Sequence, residues 1–572
     1  MTDNKKLETG YTGADALNDA LVNAGVSCVF LNSGTDYPPI IESWAKCEAL
    51  GFPHPQIVIS PHEIVAMSAA QGYAQITGEA QAVFVHVDVG TQNLGGTIHN
   101  AFRCRVPVFI MAGLSPHVIE GELKGGRNAY IQFIQNVGDQ GSIVRPYTKL
   151  NQEYYSGLNI QQMTYRALQL ANSEPQGPVY MMAAREVLEE PGRDIGTDLS
   201  AWRPVSPLGL DDESLEIVTN ALMDAKKPLI VTSYIGRNTG AVAELVTLAE
   251  RLEIPVVEAN LSYMNFPADN PLHMGFDAAE LLKDADTILV IDSDIPWIPA
   301  RVGPKSDSRV FFIDVDPIKE HIPMWYFPSE RFMKADAQTA LRQIINKLDG
   351  CGLDSTLVES RREIITAKSA KQRENWDSAV PAGAVITPEL LAKTLHEVID
   401  DDTVIVSEAI SNNSSVERYI PRVKPGTMFL SGGSSLGWHG GAALGMKLAC
   451  PEKEIVAVTG DGSYIFSCPT AVYWMAKKYN APFMTVIFNN QGWNAPKQIT
   501  LGEHPAGFAA ENRSFWTSFD PPAKLDMVAN AAGDAFALTV SDPKELKSAL
   551  QKGREAVKNG TAAVINVILP PV

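Results

Sequence analysis

Two short turns hold the side chains best suited to chemistry. The run EIVAVT leads into Gly460-Asp461-Gly462-Ser463, and the run APFMTVIF ends in Asn489-Asn490-Gln491-Gly492. The first turn offers a carboxylate between glycines that let a phosphate approach the backbone. The second offers a carboxamide and a nearby glycine carbonyl. Mg²⁺ takes about six oxygens in a near-octahedral shell and favours phosphate oxygens over an all-protein cage. Asp461, Asn490 and the Gly492 carbonyl would leave places for phosphate oxygens and a water. Backbone N–H groups of Gly462 and Ser463 are expected to meet the phosphate near the start of the following helix. A competing chemistry is written at Gly433-Ser434-Ser435-Leu436-Gly437, a match to G-x-S-x-G after the run TMFLS. No clear Asp and His partners follow it at strand ends.

These turns need a scaffold that brings them to one edge. A helix over roughly 468–479 separates the two apolar runs, so the unit reads as β-α-β with a right-handed crossover. The same grammar recurs along the chain. SCVFLN, PQIVIS, AQAVFVHVDV, VPVFIMAG and PVYMMA form a first set, with EIVAMSAAQGYAQITG as the clearest helix between them. KPLIVTS, IPVVEAN, DTILVIDSD and RVFFIDVDP form a second, and TVIVSEA, EIVAVTGDG, APFMTVIFNN, AFALTV and AAVINVIL a third. Continuous apolar strands alternating with helices predict parallel sheets covered on both faces. The expected fold is α/β, with three doubly wound parallel-sheet domains at 1–190, 205–345 and 384–572. The charged stretch 346–383 between the last two reads as a linker or solvated helix. Sites in such sheets lie beyond the carboxyl ends of the strands.

Composition narrows the function classes. The chain has 572 residues, of which 45% are hydrophobic, enough for several well-buried cores. Its net charge of −19 disfavours nucleic acid and anionic membrane as partners, because both require a basic face. The N-terminal MTDNKKLETGYTG is too polar for a signal peptide, and no run of about 18 apolar residues suggests a membrane span. Six scattered cysteines without a CxxC pair predict reduced thiols and a cytoplasmic location.

GDG and NN in this order, with 26 residues from Ser463 to Phe488 between them, resemble the signature of thiamine-diphosphate enzymes. The whole chain resembles the three-domain family of acetolactate synthase, pyruvate decarboxylase and benzoylformate decarboxylase. SPHEIVAMSAAQGYAQITG and GTQNLGGTIHNAFRCRVPVFIMAG carry the likeness in the first domain. The resemblance implies an N-terminal domain for the aminopyrimidine, a central domain, and a C-terminal domain for the diphosphate, with thiamine diphosphate and Mg²⁺ as cofactors. It implies that Glu63 hydrogen-bonds the pyrimidine ring and favours its imino form. By alignment of glycines in SGGSSLGWHGGAALGMKLA it makes Leu436 the apolar wedge that bends the cofactor. Ser411 and Asn412 in SEAISNNS fall where donors to the diphosphate end would lie. His86, in HVDVGTQN, resembles the benzoylformate decarboxylase histidine that handles protons at the substrate carbon. It is expected to be neutral near pH 7 and to protonate the enamine after carbon dioxide leaves.

Several departures restrain the choice of substrate. Acetolactate synthases carry Phe-Gln-Glu where this chain reads Gln135-Asn136-Val137, and the His pair of pyruvate decarboxylases is absent. Thr35 and Asp36, in LNSGTDYPP, fall where the family places polar groups over the site. Trp493, Asn494 and Lys497 are candidates to face substrate. No GxGxxG follows a strand in the central segment, so the sequence supports no second nucleotide there, although acetolactate synthases hold a flavin. The expected activity is cleavage of a carbon–carbon bond next to a carbonyl. The foremost reading is a 2-oxo acid decarboxylase, with carboligation of a second carbonyl as a possible outcome. An acetolactate synthase-like transferase, a 2-hydroxyacyl-CoA lyase, a non-catalytic cofactor-binding paralogue and a serine hydrolase are the alternatives. The resemblance further implies a homodimer or homotetramer with sites between subunits.

Overall fold

The computed structural model describes residues 10–380 and 383–571. Residues 1–9, within the stretch expected to be too polar for a signal peptide, lie outside it, as do 381–382 of the expected linker and Val572. Three parallel sheets stand where three were expected. The first comprises β1 (Cys28–Leu31), β2 (Gln56–Ile59), β3 (Gln81–Val85), β4 (Val108–Leu114), β5 (Leu150–Glu153) and β6 (Val179–Ala184), in the order β2-β1-β3-β4-β6-β5. The second comprises β7 (Pro228–Thr232), β8 (Val256–Glu258), β9 (Thr287–Ile291), β10 (Arg309–Asp314) and β11 (Arg331–Lys334), in the order β11-β10-β9-β7-β8. The third comprises β12 (Val404–Glu408), β13 (Met428–Leu430), β14 (Ile455–Gly460), β15 (Met484–Asn489), β16 (Phe536–Val540) and β17 (Ala563–Ile568), in the order β13-β12-β14-β15-β17-β16.

Inner strands such as β3, β4 and β15 are buried almost throughout, which explains their unbroken apolar runs. Two strands escape the sequence pattern. LNQE of β5 and RFMK of β11 are polar because each lies at a sheet edge, with one flank and one face near water.

Each outer sheet reverses its strand order between β1 and β3 or between β12 and β14, and doubles back again only at its far edge, at β6-β5 or β17-β16. Register brings Leu31 beside Phe84 at the first reversal and Glu408 beside Thr459 at the second. Gly460 lies beside Phe488 on the next strand, so the GDG and NN turns open on one edge. A crevice at such a reversal is where open α/β sheets bind ligands.

Helices α1 (Glu63–Thr77) and α2 (Val87–Arg103) follow β2 and β3. Gly95, at φ 37° and ψ −125°, kinks α2. The kink admits the loop after β13, because a side chain at Gly96 would overlap Ser435. Helix α3 (Ser355–Ser378) fills most of the expected linker. It is not merely solvated. The buried Arg361 guanidinium donates to the carbonyls of Leu222, Met223, Ala225 and Leu252 in the central domain. Farther along, Trp376 stacks on Phe276, and its carbonyl accepts from Tyr419 at 2.9 Å.

The helix expected at 468–479 is α6 (Pro469–Lys478), and a further short helix, α5 (Asp461–Phe466), precedes it, the two parted at Cys468 with φ 53°. GDG is therefore a helix start as well as a strand end. Before them comes α4 (Trp438–Ala449), which crosses α1 at very close range. Ala69 and Gly72 of α1 face Gly441, Ala442 and Gly445 of α4. A Cβ at Gly441 would sit 2.6 Å from Ser68 Cβ and 2.9 Å from Val65 O, and one at Gly445 would overlap Ala69 O. Small residues let the backbones meet, and the first and third domains share one core as a result. Among the described residues no helix is long and apolar enough to cross a membrane.

Candidate active site

Asp461 opens α5 and is almost fully buried. Its Oδ1 accepts from Gly462 N at 3.0 Å and its Oδ2 from Gly492 N at 2.8 Å, which ties the two turns together. Burial pushes its carboxyl pKa up, while these N–H groups pull the other way. The side-chain oxygen of Asn490 lies 2.8 Å from Gly492 O and 3.2 Å from Asp461 Oδ1. Three acceptor oxygens thus face one another. Rotating the amide would convert both approaches into hydrogen bonds. With the amide as it stands, a hard divalent cation is the partner such a donor set fits. The expected metal trio therefore meets at one point, with a single carboxylate; among the described residues no cluster of three His, Cys, Asp or Glu side chains exists to hold a metal.

These groups form one wall of a cavity of about 340 Å³. Ser411, Asn412, Leu436, Asp461, Gly462, Ser463, Asn490 and Gly492 all line it, and Trp493 and Asn494 join them. The Gly462 N–H turns to Asp461 Oδ1. Gly462 matters sterically as well, because its Cβ would lie 2.7 Å from Trp493 Nε1. Lys497 does not line the cavity and instead sits 5.6 Å over the Phe515 ring.

Leu436 is held by a residue that the sequence reading missed. Glu408, buried at the end of β12, accepts from the backbone N–H groups of Gly437 at 2.8 Å, Trp438 at 3.3 Å and His439 at 3.0 Å. A carboxylate here satisfies the orphan donors at the start of α4 and complements its dipole. His439 Nδ1 adds a 2.7 Å contact, so the residues just after Leu436 are locked to the strand edge. From the other side Asn100 of α2 bridges Ser435, accepting from its N–H and donating to its carbonyl, both at 2.9 Å.

Glu63 and His86 lie elsewhere. Glu63 is buried in the first turn of α1, where Asn93 donates to its Oε2 at 3.1 Å and Gly90 leaves it room. His86 lies between β3 and α2, with Nδ1 2.6 Å from Asp36 Oδ1 and Nε2 3.0 Å from Gln135 Oε1. Burial works against a charged imidazole, but the hydrogen bond and charge of Asp36, helped by Gln135 and Asp88, outweigh it and raise the pKa. Asp36 was noted only as a polar group near the site. Neither Glu63 nor His86 lines the cavity at Asp461.

The two clusters sit at the strand reversals of two different domains, and comparison with known proteins explains both domains. Residues 11–142 match the model described as thiamine pyrophosphate enzyme, N-terminal TPP binding domain, 215–344 the central domain, and 410–567 the C-terminal TPP binding domain. The chain belongs to the thiamine pyrophosphate enzyme family. It is 25% identical to an acetolactate synthase large subunit of Lactococcus lactis, over 96% of this chain and 91% of that one. It is 24% identical to 2-hydroxyacyl-CoA lyase 2 of Danio rerio, over 97% and 91%. Its fold is similar to a thiamine diphosphate-dependent 4-hydroxybenzoylformate decarboxylase from Rhodococcus jostii, with TM-score 0.78, 20% identity, and 98% and 99% of the chains covered. Two of the three matched domains are TPP-binding, which supports thiamine diphosphate as the cofactor.

Family membership leaves the G-x-S-x-G segment without a hydrolytic role. Ser435 is bonded through its backbone to Asn100, and the nearby His99 is turned to Gly433 O. At the carboxyl edge of the central sheet the chain's own charges pair with one another. Arg105 of the first domain pairs with Asp294 at 2.9 Å and covers the Tyr234 ring, and Lys319 binds Asp314 and Tyr234.

Proposed function

We propose that this chain is a thiamine-diphosphate- and Mg²⁺-dependent carbon–carbon lyase whose main reaction is decarboxylation of a 2-oxo acid. The observation that carries the reading is the meeting of the Asp461 carboxylate, the Asn490 amide and the Gly492 carbonyl on the wall of a cavity bordered by Leu436. Thiamine diphosphate, when bound, supplies the electron sink for breaking a bond next to a carbonyl. The chain's own residues do the rest. Asp461, Asn490 and the Gly492 carbonyl hold the ion and through it the diphosphate. Leu436, just before the turn that Glu408 holds, would support the cofactor. Glu63 holds a proton at the pyrimidine, and His86 delivers one to the substrate carbon after carbon dioxide departs.

Glu63 lies apart from the cavity of its own chain, which supports a site completed by a second copy, in a homodimer or homotetramer. A groove beside Glu63 is lined by Pro61, His62, Ile465, Trp474 and Met527, several of them exposed apolar residues that suit burial against a partner. All six cysteines are free, which accords with a cytoplasmic enzyme. The likeness to an acetolactate synthase and to a 2-hydroxyacyl-CoA lyase favours, as second reading, transfer to another carbonyl or cleavage of a 2-hydroxyacyl-CoA.

Thermal melting with thiamine diphosphate plus Mg²⁺, against each alone, tests the cofactor; no joint stabilisation would defeat the reading. A panel of 2-oxo acids, acyloins and 2-hydroxyacyl-CoA esters, with carbon dioxide and aldehyde both measured, separates decarboxylase from the second reading.

A further inference from the structure

His86 is gripped from both sides by oxygen. Nδ1 meets the Asp36 carboxylate and Nε2 meets the Gln135 side-chain oxygen. Both partners are acceptors, so an imidazole with hydrogens on both nitrogens satisfies them, and that form is the cation. Turned about, the Gln135 amide would instead donate to a neutral ring.

The pair is built into the fold. A side chain at Gly34 would overlap His86 Nδ1, and one at Gly113 would overlap Asp36 Oδ2, so two glycines clear the space. Tyr37 anchors the Asp36 loop by donating to Val85 O at 2.6 Å, with Met111 O at 3.1 Å. Val87, beside His86, is held at φ 26°, a left-handed conformation costly for a β-branched residue, and its N–H also points to Asp36. The charged groups facing His86 are Asp36, from the loop after β1, and Asp88, in the first turn of α2. Arg185, which reaches Thr35 O, has its guanidinium engaged by Gly125, Gly126 and Asn128. Gln135 is half-buried and follows a stretch in which Tyr130 and Ile134 are exposed.

We propose that Asp36 is a positioning residue that keeps His86 as an imidazolium aimed through Nε2, and that this charge directs the product to aldehyde in preference to carboligation. The proposal rests on the decarboxylase reading above. The bond between Nε2 and its hydrogen breaks, and a C–H bond forms at the carbon that lost carbon dioxide. The electron pair comes from the broken carbon–carbon bond. The neutral imidazole then regains one proton from solvent, which is the one proton that decarboxylation to aldehyde consumes. A neutral imidazole would leave that carbon available to a second carbonyl.

The test combines titration with product analysis on the full-length chain, with and without thiamine diphosphate and Mg²⁺. Protein labelled with ¹⁵N-histidine is titrated by NMR, and His86→Gln assigns the His86 signals. Wild-type His86 is expected to titrate above the ordinary value of about 6.5, and Asp36→Asn to bring it to that value or below. Gln135→Ala, which keeps Asp36, should leave it raised. With a turned-over 2-oxo acid, Asp36→Asn should lower the aldehyde-to-acyloin ratio about tenfold at pH 8 and recover as pH falls toward 6. Titration at or below 6.5 in the wild type overturns the proposal without any variant having to fold. A raised titration with an unchanged product ratio keeps the charged pair and overturns its role in product choice. Absence of aldehyde from every 2-oxo acid, with the titration raised, instead sinks the decarboxylase reading and leaves the pair standing.

Discussion

Replacing Gly441 by Ala should drive α4 off α1 and loosen the cofactor site from a distance. The new Cβ would lie 2.6 Å from Ser68 Cβ, and reaching an ordinary contact of 3.4 Å requires a shift of about 0.8 Å. Overpacking of this kind costs about 1–3 kcal/mol. Removing a helical glycine returns about 1 kcal/mol, which leaves a net loss of up to about 2 kcal/mol. For domains of this size that is a fall in Tm of up to about 8 °C. Gly445→Ala should be worse, because its Cβ meets the Ala69 carbonyl oxygen, which cannot give way as a side chain can. Gly502→Ala, with nothing within 4 Å, is the control and should not fall. Leu436 and Glu63 lie at the ends of the two crossing helices, so affinity for thiamine diphosphate with Mg²⁺ should weaken about tenfold alongside the Tm. Calorimetry gives the first quantity. Quenching of tryptophan fluorescence gives the second, since Trp493 lines the cavity. If Gly441→Ala and Gly445→Ala melt and bind like wild type, the close helix crossing is not what fixes the site.

Asp461→Ala should abolish the joint stabilisation by thiamine diphosphate and Mg²⁺, whereas Glu63→Gln should retain it while losing turnover; melting scans and carbon dioxide release distinguish the two. Glu408→Gln leaves the α4 start with a neutral partner and should cost about 1–2 kcal/mol, with a higher KM for thiamine diphosphate; an unchanged KM would detach Glu408 from Leu436. The His86 pKa is raised in the folded chain, so its pairing with Asp36 stabilises fully below the unfolded value of about 6.5 and fades as pH rises through the folded value. The Tm gap between wild type and Asp36→Asn should therefore be widest in mildly acidic buffer and narrow on the alkaline side.

The meeting of Asp461 and Asn490 was legible because type and spacing both sit in one β-α-β unit, read without knowing any distant neighbour. Inner strands were legible for the same reason, since burial on both faces writes itself into the residues. Strands β5 and β11 were not, because edge positions tolerate polar residues that look like loop. Glu408 was invisible because its partners are backbone N–H groups some 29–31 residues away, which no side-chain pattern reports. Asp36 and His86 become partners only once β1 and β3 are neighbours, a fact of strand order. Gly462 could be assigned to the phosphate loop by motif, but the direction of its N–H could not.

Arg361 changes how this polypeptide can be divided. The stretch 346–354 looks like the natural place to sever it, being short, polar and followed by charged sequence. A break there would carry α3 away with the third domain and strip the guanidinium from four carbonyls at helix ends of the second. A break beyond residue 378 would leave that clamp intact. The helix is a strut between two fragments, and a split protein designed for reassembly should treat it as part of the central one.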